Sequence, residues 1–109
     1  MWNERHPAAV LAVALVLPLS AVAAEPGPAR QKELIHLVRQ DCGSCHGMTL
    51  QGGLGPALVP QALADKPAES LVATIVHGRP GTAMPPWHRF LAEDEAKWIV
   101  ARLLEGFPK

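Results

Sequence analysis

Aromatic residues and cysteines are scarce in this chain of 109 residues. It contains no tyrosine, two phenylalanines, three tryptophans and two cysteines. Two cysteines allow at most one disulfide, so the chain is not one of the small domains held together by many disulfides. A single domain of this size is also near the lower limit at which an apolar core is sufficient by itself. We therefore expect another source of stability in the fold.

The chain also lacks an excess of charge of either sign. Ten Lys and Arg residues balance ten Asp and Glu residues, so the formal net charge is zero at neutral pH. Binding to nucleic acid needs a basic face that neutralises phosphates, and we expect no nucleic-acid partner. Neutrality further predicts weak long-range steering of a charged partner, with association rates that depend little on ionic strength.

One apolar run stands out, and it lies near the N-terminus. Residues 8–19 are apolar, a short polar stretch with Arg5 and His6 precedes them, and small residues follow. This order is typical of a secretory signal peptide, which we place at residues 1–24 with cleavage after Ala23 or Ala24. The run is short for a membrane span, so we expect a periplasmic protein without stable membrane insertion. A retained membrane anchor is the alternative.

Three later stretches have the apolar spacing of helices, and none alternates like a strand. They cover residues 30–40, residues 67–77 with a stop at Gly78, and residues 92–105 with a stop at Gly106. The fold class is therefore all-α, with a linker at residues 25–29 and one domain at residues 30–109. Glycine and proline interrupt the segments between the helices, and loops of this length in a small domain suggest an enclosed ligand.

The sequence Cys42-Gly-Ser-Cys45-His46 is the haem-attachment motif. Two thiols at this spacing can each add to one vinyl group of a porphyrin, and the imidazole of the next residue then becomes an axial ligand of the iron. Three alternatives fit less well. A redox dithiol needs a βαβ setting, a zinc site needs a second pair of ligands, and a disulfide between these cysteines closes too short a loop to stabilise much.

The second axial ligand is expected from the loop at residues 79–86. Met84 is the candidate, because a thioether is a soft ligand and the irregular segment around it can lie across a haem face. His77 and His88 flank Met84 and are alternatives, while Met48 is too close to His46 to reach the opposite face. Met84 could instead fill the core. Downstream of the motif, the carbonyl of Pro56 is a candidate acceptor for the second imidazole nitrogen of the histidine, although Pro56 could also do no more than shape the loop.

The whole region after the predicted signal resembles the class I cytochromes c. The order is a helix, the motif, a Gly-Leu-Gly-Pro loop, a helix, an Ala-Met-Pro-Pro loop and a final helix. The resemblance implies that the Pro56 carbonyl accepts a hydrogen bond from His46, that Met84 is the distal ligand, and that the first and last helices pack through Leu34, Leu37 or Val38 against Trp98 and Ile99.

Within that family, residues 41–58 and 71–87 resemble the cytochrome c-55X group, which accompanies haem-cd-type nitrite reductase in denitrifying bacteria. The resemblance implies one covalent haem c and a periplasmic electron carrier that serves nitrite reductase. Electron transfer to the enzymes that mature the haem of nitrite reductase, and ligand binding at a labile distal site, are the alternatives. No catalytic residues are expected, because Glu93, Asp94 and Glu95 are typical of a helix N-terminus rather than of an acid–base pair.

Overall fold

The computed structural model describes residues 2, 12–17 and 25–109. Most of the predicted signal peptide at residues 1–24 lies outside these described residues, and so do both predicted cleavage sites. In the part of the chain that is described, no helix is long and apolar enough to cross a membrane. All the helices of the described part come after residue 27, and no strand is found among them, which confirms the all-α class.

The first helical segment changes from α-helix to π-helix at the residues that lead into the motif. Helix α1 spans Pro28–Leu37, a π-helical turn follows at Val38–Cys42, and α2 spans Gly43–His46. Pro28 suits the first turn, where its missing N–H would have had no helical partner. The helix therefore begins inside the stretch predicted as a linker, and helical structure continues past the predicted end at residue 40. Periodicity cannot reveal the π-helical turn, because it inserts a residue into an otherwise regular pattern.

A loop and one short helix follow the motif. Residues 47–59 form the loop, which turns back so that the N–H of Leu58 donates to the carbonyl of Leu50 at 2.8 Å. Helix α3 spans Pro60–Leu63, where we predicted only loop. Pro60 begins this single turn and Leu63 buries its side chain in the core. One helical turn is too short to show a periodic signal.

The two remaining helices agree with prediction. Helix α4 spans Ala68–His77 and ends at Gly78, and α5 spans Glu93–Glu105 and ends at Gly106. Both glycines have positive φ, 69° and 107°, which residues with a Cβ rarely adopt. The two stops therefore follow from backbone conformation.

The core joins the first and last helices, as the class I resemblance implies. Leu34 and Val38 are fully buried, and Ile99 lies with them in one cluster. The other buried members of this cluster are Leu50, Leu63, Leu91, Trp98 and Leu103. Leu37 packs against it from a partly buried position. A second, smaller cluster of Val72, Ala96 and Val100 joins α4 to α5.

Two arginines tie distant parts of the backbone together. Arg30 of α1 forms an ion pair with Glu95 at the start of α5 and donates to the carbonyl of Phe90 at 3.2 Å. Arg39 in the π-helical turn donates to the carbonyls of Phe107 and Pro108 at 3.1 and 2.7 Å. The chain end is thereby held against the turn that carries the first cysteine.

Candidate haem-binding site

Cys42 and Cys45 lie one helical turn apart, at the end of the π-helical turn and in α2. Residues three apart in a helix face the same side, so both sulfurs are available to one ligand. Cys42 is half-buried and Cys45 is exposed, and neither forms a disulfide. Burial, and then the charge of Asp41, raise the pKa of the Cys42 thiol to about 11, so this thiol is protonated at neutral pH.

His46 ends α2, and the following loop fixes its ring. The ring atom Nδ1 lies 2.7 Å from the carbonyl oxygen of Pro56. The N–H of Gly55 donates to the carbonyl of Cys45, and the N–H of Gly52 donates to that of His46, both at 2.8 Å. These bonds satisfy two carbonyls that the end of a helix leaves without helical partners. The ring is thus oriented through Nδ1, which leaves Nε2 as the nitrogen that could bind a metal.

The glycines of this loop allow it to approach the motif closely. A Cβ at Gly55 would lie 2.7 Å from Cε1 of His46 and 2.8 Å from its Nδ1. A Cβ at Gly53 would lie 2.9 Å from the carbonyl oxygen of Cys45. Neither contact could be predicted from the sequence, although a run of glycines is a general sign of close backbone approach. The cradle behind the imidazole therefore exists only because these positions lack side chains.

Met84 lies on a separate loop that is fastened to the end of α4. Its carbonyl accepts the N–H of Arg79 at 3.1 Å. On the far side of the loop, the N–H groups of Trp87 and His88 donate to the carbonyls of Ile75 and Val76 at 2.9 and 3.3 Å. Two carbonyls in the last turn of α4 thus hold the far end of the methionine loop, and the bond from Arg79 to Met84 closes the loop within itself. We define this loop as residues 78–88.

Gly78 permits this arrangement. It is buried, and a Cβ there would lie 2.7 Å from the carbonyl oxygen of Met84 and 2.8 Å from backbone atoms of Pro85 and Pro86. Trp87 packs against the core in a partly buried position, and its ring centroid lies 5.7 Å from that of Phe90. The loop therefore rests on backbone contacts and on one aromatic anchor.

The structure brings some of the predicted site residues together and leaves others apart. Cys42, Cys45 and His46 share one turn, and Pro56 meets His46 directly. Met84 is partly buried, while the two alternative ligands His77 and His88 are exposed. In residues 25–109, no three or more His, Cys, Asp or Glu side chains lie together as metal ligands would. A thiol pair, an oriented imidazole and a thioether are the groups that c-type haem attachment and ligation use, so the residue types present fit that group.

Similarity to known proteins points the same way. The family model described as cytochrome C oxidase, cbb3-type, subunit III matches residues 29–102. Cytochrome c55X of Stutzerimonas stutzeri is 55% identical over 113 aligned residues, which cover 100% of this chain and 99% of that protein. The solved structure of the c-type cytochrome NirC has a TM-score of 0.73 at 62% identity, over 74% of this chain and 95% of that one.

A larger protein contains a related segment. The dihydro-heme d1 dehydrogenase of Pseudomonas aeruginosa is 40% identical over 101 residues. The match covers 91% of this chain but only 19% of the dehydrogenase, so the likeness concerns one segment of that protein.

Proposed function

This chain belongs to the class I c-type cytochromes, and within them to the cytochrome c55X group, and we propose that it carries electrons to nitrite reductase through one haem. Its cofactor is one haem c, which cycles between ferrous and ferric iron when bound. We assign the covalent attachment to Cys42 and Cys45, the proximal ligand to His46 and the distal ligand to Met84. Pro56 orients the proximal ligand.

The observation that carries the assignment is the hydrogen bond between His46 and Pro56. A carbonyl only accepts, so the proton must sit on Nδ1 of the imidazole. This choice of tautomer leaves the lone pair on Nε2, which is the nitrogen that faces away from the loop. The hydrogen bond therefore leaves one imidazole nitrogen available to a metal and restricts rotation of the ring.

Met84 completes the proposed ligand set from the methionine loop. Backbone hydrogen bonds fix the loop within itself and against α4, which supports a preformed position for the backbone of Met84. Two ligands from the chain leave no coordination position for a substrate, which supports electron transfer rather than catalysis. Binding of carbon monoxide or nitric oxide to the reduced protein tests this point. Rapid stoichiometric binding would favour the alternative of a ligand-binding haem protein with a labile distal site.

We place the carrier in the periplasm, as a donor of electrons to nitrite reductase. The c55X resemblance of residues 41–58 and 71–87 supports the partner, and the predicted signal at residues 1–24 supports the compartment. The mass of the protein from a periplasmic extract tests the second part. It should correspond to one haem on a chain that begins at Ala24 or Glu25, and a full-length chain found only in membranes would contradict it.

A role in maturation of the nitrite reductase haem is the second candidate, and one observation favours it. The related segment of dihydro-heme d1 dehydrogenase lies in a protein whose name describes oxidation of dihydro-heme d1. Such an oxidation releases electrons, and a small cytochrome related to part of that protein is a suitable acceptor for them.

Stopped-flow mixing separates the two roles. Reduced cytochrome mixed with oxidised nitrite reductase should be oxidised within one turnover if the donor role holds. Oxidised cytochrome mixed with the dehydrogenase and its reduced substrate should be reduced if the maturation role holds. Absence of the first reaction removes the donor role, and absence of both removes the proposed link to nitrite reductase while leaving the haem assignment intact.

A further inference from the structure

Leu50 has a backbone conformation that leucine rarely adopts. Its φ is 61°, and among residues 25–109 it is the only residue other than glycine with a positive φ. The left-handed region is unfavourable for a residue with a Cβ, whereas glycine enters it freely. Such a conformation persists only where the surrounding structure determines it, and it is concentrated at functional positions. A leucine at this position therefore requires a compensating interaction.

Burial of the side chain is that interaction. Leu50 is 2% exposed and belongs to the core cluster that joins the first and last helices. Its neighbours Thr49 and Gln51 are exposed, and no other side chain of residues 47–53 is buried. Leu58, near the other end of the loop, packs against the same cluster from a partly buried position. Leu50 is therefore the point at which the segment after the motif is attached to the core.

The backbone of Leu50 closes the loop on both of its sides. Its N–H donates to the carbonyl of Gly47 at 2.8 Å, and its carbonyl accepts the N–H of Leu58, also at 2.8 Å. Pro56 lies within the second closure, and its carbonyl oxygen is 2.7 Å from Nδ1 of His46. One residue thus connects the turn after the motif, the segment that carries Pro56 and the core.

We propose that Leu50 is a positioning residue for electron transfer, whose buried side chain and left-handed backbone hold the Pro56 carbonyl against the ring of His46. The inference rests on the proposed function, since it treats His46 as the proximal ligand. A hydrogen bond donated from Nδ1 makes the imidazole a more basic ligand, which favours ferric iron and lowers the reduction potential. Leu50 therefore affects the potential through the loop, from a position within the core.

Two substitutions of Leu50 separate the side chain from the backbone. Leu50→Ala removes the buried side chain and keeps a Cβ at positive φ, whereas Leu50→Gly also relieves the backbone, so the glycine variant should unfold at the higher denaturant concentration. The direct measurement is deuterium exchange of the His46 Nδ1 proton by NMR of the reduced protein, divided by exchange of the Ile99 amide in the core to correct for global stability. Both variants should raise this ratio about tenfold and raise the reduction potential.

Leu63→Ala is the matched control. It removes a leucine that is 3% exposed from the same core cluster, but Leu63 lies on α3 outside the loop. It should lower stability without changing the exchange ratio or the potential. Leu50→Met keeps an unbranched apolar side chain of similar size and should preserve the wild-type values. Wild-type ratios and potentials in both Leu50 variants, or equal shifts in Leu63→Ala, would overturn the proposal, and a glycine variant no more stable than the alanine variant would overturn its backbone part.

The wild type provides a second test if the Leu50 variants accumulate without haem. As denaturant is added, the Nδ1 proton of His46 and the amide proton of Leu58 should stay protected until the Ile99 amide exchanges, because a loop attached to the core cannot open before it. Exchange of both loop protons at much lower denaturant would overturn the anchor. A spectrum without histidine ligation would contradict the proposed function instead, and the Leu58 amide would still decide whether Leu50 anchors the loop.

Discussion

The attachment segment, which we define as residues 42–56, and the methionine loop supply the two proposed faces of the haem site and are built in different ways. At the motif, every hydrogen bond that orients His46 comes from residues 52–56, within ten positions of it. The methionine loop is held by α4, and the carbonyl of Phe90, two residues beyond the loop, accepts a hydrogen bond from Arg30, which lies 60 positions away along the chain. The attachment face thus depends on local chain geometry, and the methionine face depends on how the whole domain packs.

Loss of a thioether should produce the largest effect. Cys42→Ser or Cys45→Ser should abolish or severely reduce the amount of haem-containing protein, because only one sulfur then remains for covalent attachment. The unloaded chain should be far less stable, since its small core is completed by the bound group. Haem-peroxidase staining after denaturing electrophoresis measures the loss.

Ser44→Ala is the matched control for this experiment. The Ser44 hydroxyl donates to the carbonyl of Asp41 at 2.7 Å and is exposed, so its removal should leave the haem attached. If wild-type haem is released by acid and organic solvent after boiling, thioether attachment through the two cysteines is wrong.

Removal of the distal ligand should have the next largest effect. Met84→Ala should retain the haem, because the attachment segment does not depend on the methionine loop, but it should open the sixth position to carbon monoxide. The reduction potential should fall by on the order of 0.1 V, within the ~0.8 V range that axial ligands control. Met48→Ala, at a residue that is 59% exposed, is the control and should change neither property.

An unchanged oxidised spectrum in Met84→Ala, together with exclusion of carbon monoxide, would show that another residue occupies that face. His77 and His88 are then the residues to replace. A bis-histidine low-spin spectrum of the wild type would lead to the same conclusion.

Substitution of two glycines in the methionine loop distinguishes the cost of a steric clash from the cost of backbone strain alone. Gly78→Ala places a Cβ against the backbone of Met84, Pro85 and Pro86, and should cost about 2–3 kcal/mol of stability while loosening the Met84 ligand. Gly81 also has positive φ, 79°, but a Cβ there meets nothing within 4 Å. Gly81→Ala should therefore cost only about 1 kcal/mol and leave the spectrum unchanged.

Denaturant unfolding measures the loss of stability in each glycine variant, and carbon monoxide binding independently measures the loosening of the Met84 ligand. Equal costs for the two substitutions would mean that the close contact at Gly78 has no influence on the loop, and that strain in φ accounts for both.

The smallest effect is expected at the ion pair between Arg30 of α1 and Glu95 of α5. The Arg30 guanidinium hydrogen bond holds the pKa of Glu95 below its usual range in the folded protein. A depressed folded pKa means that the pair stabilises the fold above the unfolded pKa of about 4.3, and that this stability is lost as the pH falls through the lower folded value. Glu95→Gln should cost about 1 kcal/mol at pH 7, after allowance for the partial exposure of Arg30.

The pH dependence of unfolding checks that sign. The difference in the free energy of unfolding between wild type and Glu95→Gln should shrink as the pH is lowered from 5 toward 3. Glu93→Gln is the control, because Glu93 is an exposed partner of Lys97 and its replacement should have a small effect at every pH. A difference that grows in acid would contradict the assigned direction.

The boundaries of the long helices could be predicted because their stops are glycines and their apolar faces repeat. Helices α4 and α5 end where Gly78 and Gly106 require them to, and α5 begins within one residue of the predicted start. The π-helical turn at Val38–Cys42 and the single turn Pro60–Leu63 could not be predicted. Each is decided by what its side chains pack against, and neither is long enough to repeat a pattern.

The sequence by itself determined the chemistry of this protein: two thiols and an imidazole on one turn specify covalent haem, because their spacing alone brings them to one side of a helix. Tertiary structure decided the rest. The carbonyl of Pro56 accepts from His46 because the glycines let the loop fold closely against the motif. Tertiary structure also closed the methionine loop, because the N–H of Arg79 reaches the carbonyl of Met84 only when the chain turns back after Gly78, and spacing along the sequence cannot reveal that turn.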